Sequence, residues 1–143
     1  MWSLRKNSWD NEQFETAEYS FIMRGDLDFE YINNTLRFES PKMIKKGEVI
    51  SKVVGESRED VYIYSKNYEN IETVNENFGD FLTEILTAKD EIYNLSQQNN
   101  ISLRIYIQSS QAQISFAFKK EILAKLEELK LPVDFSIISW GEI

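Results

Sequence analysis

The stretch ISLRIYIQSSQAQISFAF, residues 101–118, decides how the rest of the chain is read. Ile101, Leu103, Ile105 and Ile107 alternate with Ser102, Arg104 and Tyr106. After QSSQ, Ala112, Ile114, Phe116 and Phe118 alternate with Gln113, Ser115 and Ala117. A period of two sends one set of side chains to each face of a strand. Two such runs around a short polar link predict a half-buried antiparallel hairpin. Its apolar face needs a cover, which amphipathic helices elsewhere in the chain can supply.

Downstream, Lys119 to Lys130 presents Ile122, Leu123, Leu126 and Leu129 at helical spacing, and Pro132 stops that helix. Val133 to Trp140 is the last predicted strand. Upstream, the spacing predicts a helix from about Val74 to Gln97, with Thr73 and Glu76 as a capping box. Phe78, Phe81, Ile85, Ala88, Ile92 and Leu95 form its single apolar stripe. At ~1.5 Å per residue it would be ~36 Å long, against ~23 Å for a seven-residue strand. It must therefore overhang the sheet, bend, or start late near Gly79.

Further upstream, Val61 to Ser65 and about Lys45 to Val53 read as strands, the second after a turn at Pro41 and with a bulge at Gly47. Phe29 to Arg37 reads as a short helix with Ile32 and Leu36 on one face, and Glu18 to Arg24 as the first strand. Residues 1–16 form a polar arm carrying Trp2, Trp9 and Phe14. Two Pro and five Gly leave no domain linker, so residues 17–143 form one domain. The predicted order is β-α-β-β-α-β-β-α-β, an α+β fold with a mostly antiparallel sheet and helices on one face.

Composition narrows the chemistry. With 42% hydrophobic residues, 143 residues can build a real core. The formal charge of −8 argues against nucleic acid and anionic membrane surfaces and favours basic protein partners. The sequence has no Cys, which removes disulfides, thiolate metal sites and Cys nucleophiles. It also has no His, which removes the commonest general base and a Ser-His-Asp triad. The start lacks the apolar run of a secretory signal, and no stretch approaches 18 apolar residues, so a cytoplasmic location is expected. The sequons at Asn33, Asn94 and Asn100 carry no meaning without secretion.

Two motifs tempt and fail. MRGDLDFE, residues 23–30, contains an adhesion-like tripeptide and the alternating acids of a calcium loop. Counted from Asp26, the obligatory Gly and Glu places of an EF-hand hold Tyr31 and Arg37. The segment reads instead as a strand-to-helix junction, with Gly25 at the turn, Asp28 as N-cap and Glu30 at the helix start. Lys42, Lys45, Lys46 and Lys52 cluster in an acidic chain, but without a Gly-rich phosphate cradle they read as a solvated loop and edge-strand protection. No carboxylate pair sits in a catalytic pattern. No catalytic residue, metal site or cofactor is therefore expected.

The recognition candidate is the sheet face opposite the helices. With Leu103, Ile105, Ile114, Phe116, Phe135 and Ile137 turned inward, that face would carry Arg104, Tyr106, Gln113, Ser115, Ser136, Ile138 and Trp140. Tyr62 and Tyr64 are placed beside them, with Ile22 and Arg24 from the first strand. Aromatics, Arg and amides together supply rigid contact area and hydrogen-bonding groups. Cover by the N-terminal arm or by a second copy of the chain is the competing use of this face.

Several of these features together resemble the DUF4279 family of small bacterial proteins, over about residues 17–143. They are Gly25-Asp26 after the first strand with a short helix ending at Leu36, then Pro41 and Lys46-Gly47, the long amphipathic helix joined to the Ile101–Ile107 strand, and a short helix feeding Val133-Asp134-Phe135-Ser136-Ile137. Family members often carry a Trp at the start of the strand after the Lys-Gly step; here Tyr62 or Tyr64, in DVYIYS, takes that place. The resemblance implies the fold and no settled activity. The functional expectation is a non-enzymatic protein-interaction domain, such as an immunity-type protein that binds and neutralises a toxin. The alternative is a small-molecule module on the aromatic face, anchored by Arg24 or Arg104 and the Lys42–Lys46 loop; Arg24, Tyr62, Tyr64, Arg104, Tyr106 and Trp140 are the candidate residues for either a partner or a ligand.

Overall fold

The computed structural model describes residues 15–69, 74–111 and 114–142. The order is β1 (Glu15–Gly25), α1 (Phe29–Leu36), β2 (Lys42–Ile44), β3 (Val49–Ser51), β4 (Gly55–Glu56), β5 (Asp60–Tyr68), α2 (Val74–Leu86), α3 (Lys89–Ser96), β6 (Asn100–Gln111), α4 (Lys120–Leu129) and β7 (Val133–Glu142). Five strands form the main sheet in the order β2-β5-β1-β6-β7, and β3 and β4 form a separate two-stranded hairpin. The β2–β5, β5–β1 and β1–β6 pairs are antiparallel, while β6–β7 is parallel, as its α4 crossover requires. This is the expected α+β class with a mostly antiparallel sheet.

One face of the sheet makes the core. Ala17, Tyr19, Phe21 and Met23 on β1 face the same way as Tyr62 and Tyr64 on β5 and as Ile101, Leu103, Ile105 and Ile107 on β6. All ten are buried in one cluster with Ile32 and Leu36 of α1, Phe78, Phe81, Leu82 and Ile85 of α2, Ile92 of α3, and Ile122 and Leu129 of α4. Burial of each large side chain contributes roughly 1.5–3 kcal/mol. An aromatic chain runs through it: Tyr64 stacks on Phe38 at 4.7 Å and on Phe81 at 6.0 Å, and Tyr19 meets Phe78 at 5.0 Å.

The hairpin expected over residues 101–118 does not form. β6 pairs with β1 and β7 instead, and residues 114–118 are not a strand. The alternation there is nonetheless physical. Ile114, Phe116 and Phe118 are partly buried and Ser115 and Ala117 exposed, so the segment lays one side on the core without pairing. Phe118 packs on Phe78 at 5.5 Å and on Phe135 at 5.9 Å. Its backbone is clamped to α2, because Asn75 Nδ2 donates to the Ala117 carbonyl at 2.7 Å and the Lys119 N–H donates to Asn75 Oδ1 at 2.8 Å.

The single long helix is two helices. The chain bends at Thr87–Ala88, where the Thr87 and Ala88 N–H groups reach back to Glu84 and Ile85 and Thr87 Oγ1 donates to the Glu84 carbonyl at 2.6 Å. The stripe survives because Ile85, Ala88 and Ile92 stay buried across the bend. The strand expected at 45–53 is instead a turn at Lys46-Gly47 followed by β3, with β2 ending just before it at Ile44. At φ +93° Gly47 serves that turn rather than a bulge. The remaining elements stand where expected, with β1 starting at Glu15, inside the predicted arm. The arm's Trp2, Trp9 and Phe14, and the Thr73 cap, lie outside the described residues.

Candidate functional site

The sheet face without helices carries Glu18, Ser20, Ile22 and Arg24 of β1, Val61, Ile63 and Ser65 of β5, and Arg104, Tyr106 and Gln108 of β6. On β7, Asp134, Ser136 and Ile138 continue the same rows. Arg104 sits between Ser20 and Asp134, and Tyr106 between Glu18 and Ser136. Both are half-buried, and the Tyr106 hydroxyl accepts from Gln108 Nε2 at 2.8 Å. Among the described residues, Arg104 makes no ion pair. The middle of the face is closed: Ser20 and Ile22 are buried, with Ser20 Oγ 2.7 Å from Ser65 Oγ.

Of the six residues expected on this face, Arg104 and Tyr106 come together. Arg24 is exposed on the same face, two rows beyond Ser20 and so about 13 Å along the strand from the Arg104 row. Trp140 lies in β7, and its side chain is outside the described residues.

Tyr62 and Tyr64 are on the wrong side. Their partners across β1 are Met23 and Phe21, so both point into the helix-covered core and are fully buried. DVYIYS offers two apolar sets, Val61 with Ile63 and Tyr62 with Tyr64, and the larger rings took the interior. There, burial raises the Tyr62 phenol to about 12. Burial, and then the carboxylate of Glu84, which accepts the Tyr64 O–H, push the Tyr64 phenol up further. Burial likewise raises Tyr19, with Tyr68 adding to it.

A second surface was not singled out by sequence. β3 and β4 project as a hairpin whose Val49, Ile50, Val53 and Val54 are all exposed, Val53 at 96%. Its base is fixed. The Gly47 N–H donates to the Ser57 carbonyl and the Ser57 N–H to the Glu48 carbonyl, both at 2.8 Å. The Asp60 carboxylate accepts the Lys46 N–H at 2.8 Å and the Leu27 N–H at 3.1 Å. Those two backbone donors, Lys46 first, hold the Asp60 carboxyl below the usual carboxylate range. The predicted lysine cluster lies in this region, where Lys42, Lys45, Lys46, Lys52 and Arg58 stand beside Glu48, Glu56, Glu59 and Asp60. The signal available in the sequence was VISKVVG, residues 49–55, which places two valines where a turn usually carries Gly, Asn or Asp.

Among the described residues no three acidic side chains cluster as a metal site, and no helix is long and apolar enough to cross a membrane. Comparison with known proteins finds no curated protein and no solved structure that matches. A model of a domain of unknown function, DUF4279, matches residues 15–140, from the first residue of β1 into β7. The match spans every element that builds the core, and the chain belongs to the DUF4279 family.

Proposed function

We propose that this chain is a non-enzymatic protein-interaction domain that grips its partner with the β3–β4 hairpin. The observation that carries the reading is the tip, where Val53 and Val54 are 96% and 66% exposed. Adjacent β-branched residues are poor turn formers, and exposed apolar clusters mark surfaces buried in complexes. The hydrogen bonds at the hairpin base hold the tip in place before binding, which lowers the ordering cost of association. The concrete form is an immunity-type protein that binds and neutralises a toxin. The chain's formal charge of −8 favours a partner whose surface around the hairpin contact is basic.

The test is binding of the full chain to the proteins encoded beside its gene. The wild type should form a complex, and Val53→Asp/Val54→Asp should weaken it more than tenfold. Equal binding by the double variant discards the hairpin. Failure of the wild type to bind or protect against any of those proteins discards the immunity role.

A second reading rests on Arg104, half-buried without an ion pair among the described residues beside Tyr106. It suits a small anionic ligand on the helix-free face. A thermal-shift screen of nucleotides and phosphorylated metabolites tests it: a hit must raise the melting temperature, and Arg104→Ala must abolish the rise.

A further inference from the structure

The two edges of the main sheet are finished differently. The β2 edge is three residues long, starts just after Pro41 and carries the exposed Lys42. Short length, Pro and Lys are the usual ways of preventing strand-to-strand association. β7 runs ten residues, and its only charge between Val133 and Ser139 is Asp134. Phe135 and Ile137 are 52% and 50% exposed on the helix-side face, and Ile138 is exposed on the other. Among the described residues β7 has β6 as its one neighbour.

The backbone parity of β7 is set by one hydrogen bond, from the Leu103 N–H to the Pro132 carbonyl at 2.9 Å. Residue 132 therefore turns its peptide groups toward β6, as do residues 134, 136 and 138. Val133, Phe135 and Ile137 turn theirs outward, because a strand alternates its peptide groups along with its side chains.

We propose that β7 pairs antiparallel with β7 of a second copy, about a two-fold axis through Ser136, to make one continuous ten-stranded sheet. In that register Phe135 lies across from Ile137 of the second copy, and Ile137 from its Phe135. These are hydrogen-bonded positions for both chains, so the outward N–H and C=O groups are used twice. Each aromatic–β-branched pair covers two half-exposed side chains and extends the apolar row of the core across the axis. Asp134 meets Ile138, not another carboxylate, so the register brings no like charges face to face. The contact is isologous and closes on itself, so it consumes the open edge without building a filament. The proposal is independent of the hairpin's role.

The chain has no Cys, so a single introduced thiol reports on the axis without background. In the paired state the two residues 136 are a non-hydrogen-bonded pair with Cβ atoms about 4.5 Å apart, within reach of a disulfide. Under mild oxidation Ser136→Cys should run as a covalent dimer, while Ser102→Cys, on the same face of β6, should not. The wild type should sediment at twice the 16.9 kDa chain mass at tens of micromolar. Ile137→Lys should sediment at one chain mass with an unchanged circular dichroism spectrum. Ile137→Pro, which removes an N–H turned away from β6, should do the same. The proposal is overturned if the wild type is monomeric at 100 micromolar, or if Ser136→Cys crosslinks no faster than Ser102→Cys. It is equally overturned if removal of residues 1–14 is needed before dimers form, since that segment would then be the occupant of the edge.

Discussion

Tyr19, Tyr62 and Tyr64, all buried on one face of the sheet, differ in whether the hydroxyl has a partner, and removing their hydroxyls should separate them. The hydroxyls of Tyr19 and Tyr62 are buried with no hydrogen-bond partner among the described residues, whereas that of Tyr64 donates to Glu84. A buried unsatisfied donor costs roughly 1–3 kcal/mol, and Tyr→Phe removes it while leaving a void of one oxygen atom. Allowing part of that gain to be lost to the void, Tyr62→Phe should stabilise the protein by about 1 kcal/mol. For a chain of this length that is about 3–4 °C in melting temperature. In urea, with a slope of about 2 kcal/mol/M, the midpoint should rise by about 0.5 M with the slope unchanged. Tyr64→Phe should go the other way by about 1 kcal/mol, since it strands a carboxylate oxygen of Glu84. The pH dependence follows. Burial pushes the folded Tyr62 phenol up to about 12, from an ordinary value of 10.0. Its raised value keeps full stability below pH 10 and loses it as pH climbs toward 12, because only the unfolded chain ionises in that window. Tyr62→Phe should flatten that alkaline loss. Destabilisation by Tyr62→Phe of about 1 kcal/mol or more would mean that the hydroxyl has a buried acceptor after all.

Other outcomes follow from single positions. Gly25 has φ +147°, and a Cβ there would lie 2.8 Å from Asn99 Oδ1, so Gly25→Ala should cost about 1–3 kcal/mol by urea titration. Lys130 ends α4 in the left-handed region at φ 54°, so Lys130→Gly should stabilise by about 0.5–1 kcal/mol in the same assay. The Asp60 carboxyl is held low by the Lys46 and Leu27 N–H groups. Its contribution is therefore present above the ordinary Asp value of about 3.9 and is lost as pH falls through the lower folded value. Protection of the Lys46 amide relative to its intrinsic exchange rate should be lost only as pH falls below the ordinary Asp range, and Asp60→Asn should lower that protection at neutral pH.

How much was legible depended on whether a pattern had one physical cause. Ile32 and Leu36, the Asp28 cap, and the stripe from Phe78 to Ile92 each had one, and each stands where expected. Alternation at Ile114, Phe116 and Phe118 had two, because a paired strand and an unpaired segment lying on a core bury every second residue alike. Periodicity carries no information about hydrogen-bond partners, so the parallel β6–β7 neighbourhood was out of reach. Tyr62 and Tyr64 misled because a phenol suits either face, and which face the rings occupy depends on register with β1. Arg104 and Tyr106 were placed correctly because their strand alternates between long aliphatic and polar residues, leaving one choice of inside. The apolar hairpin tip was hidden among lysines, where charge drew attention away from the valines between them.

The proposed contact surface for another protein is the β3–β4 hairpin. Amide hydrogen exchange tests it most directly, measured on the full chain alone and with each protein encoded beside its gene. Residues 49–56 should become protected on addition of the true partner, and Val53→Asp/Val54→Asp should abolish the protection without changing exchange in β1 or β6. A partner that binds while exchange at residues 49–56 stays as in the free chain would place the contact elsewhere on the protein and rule the hairpin out.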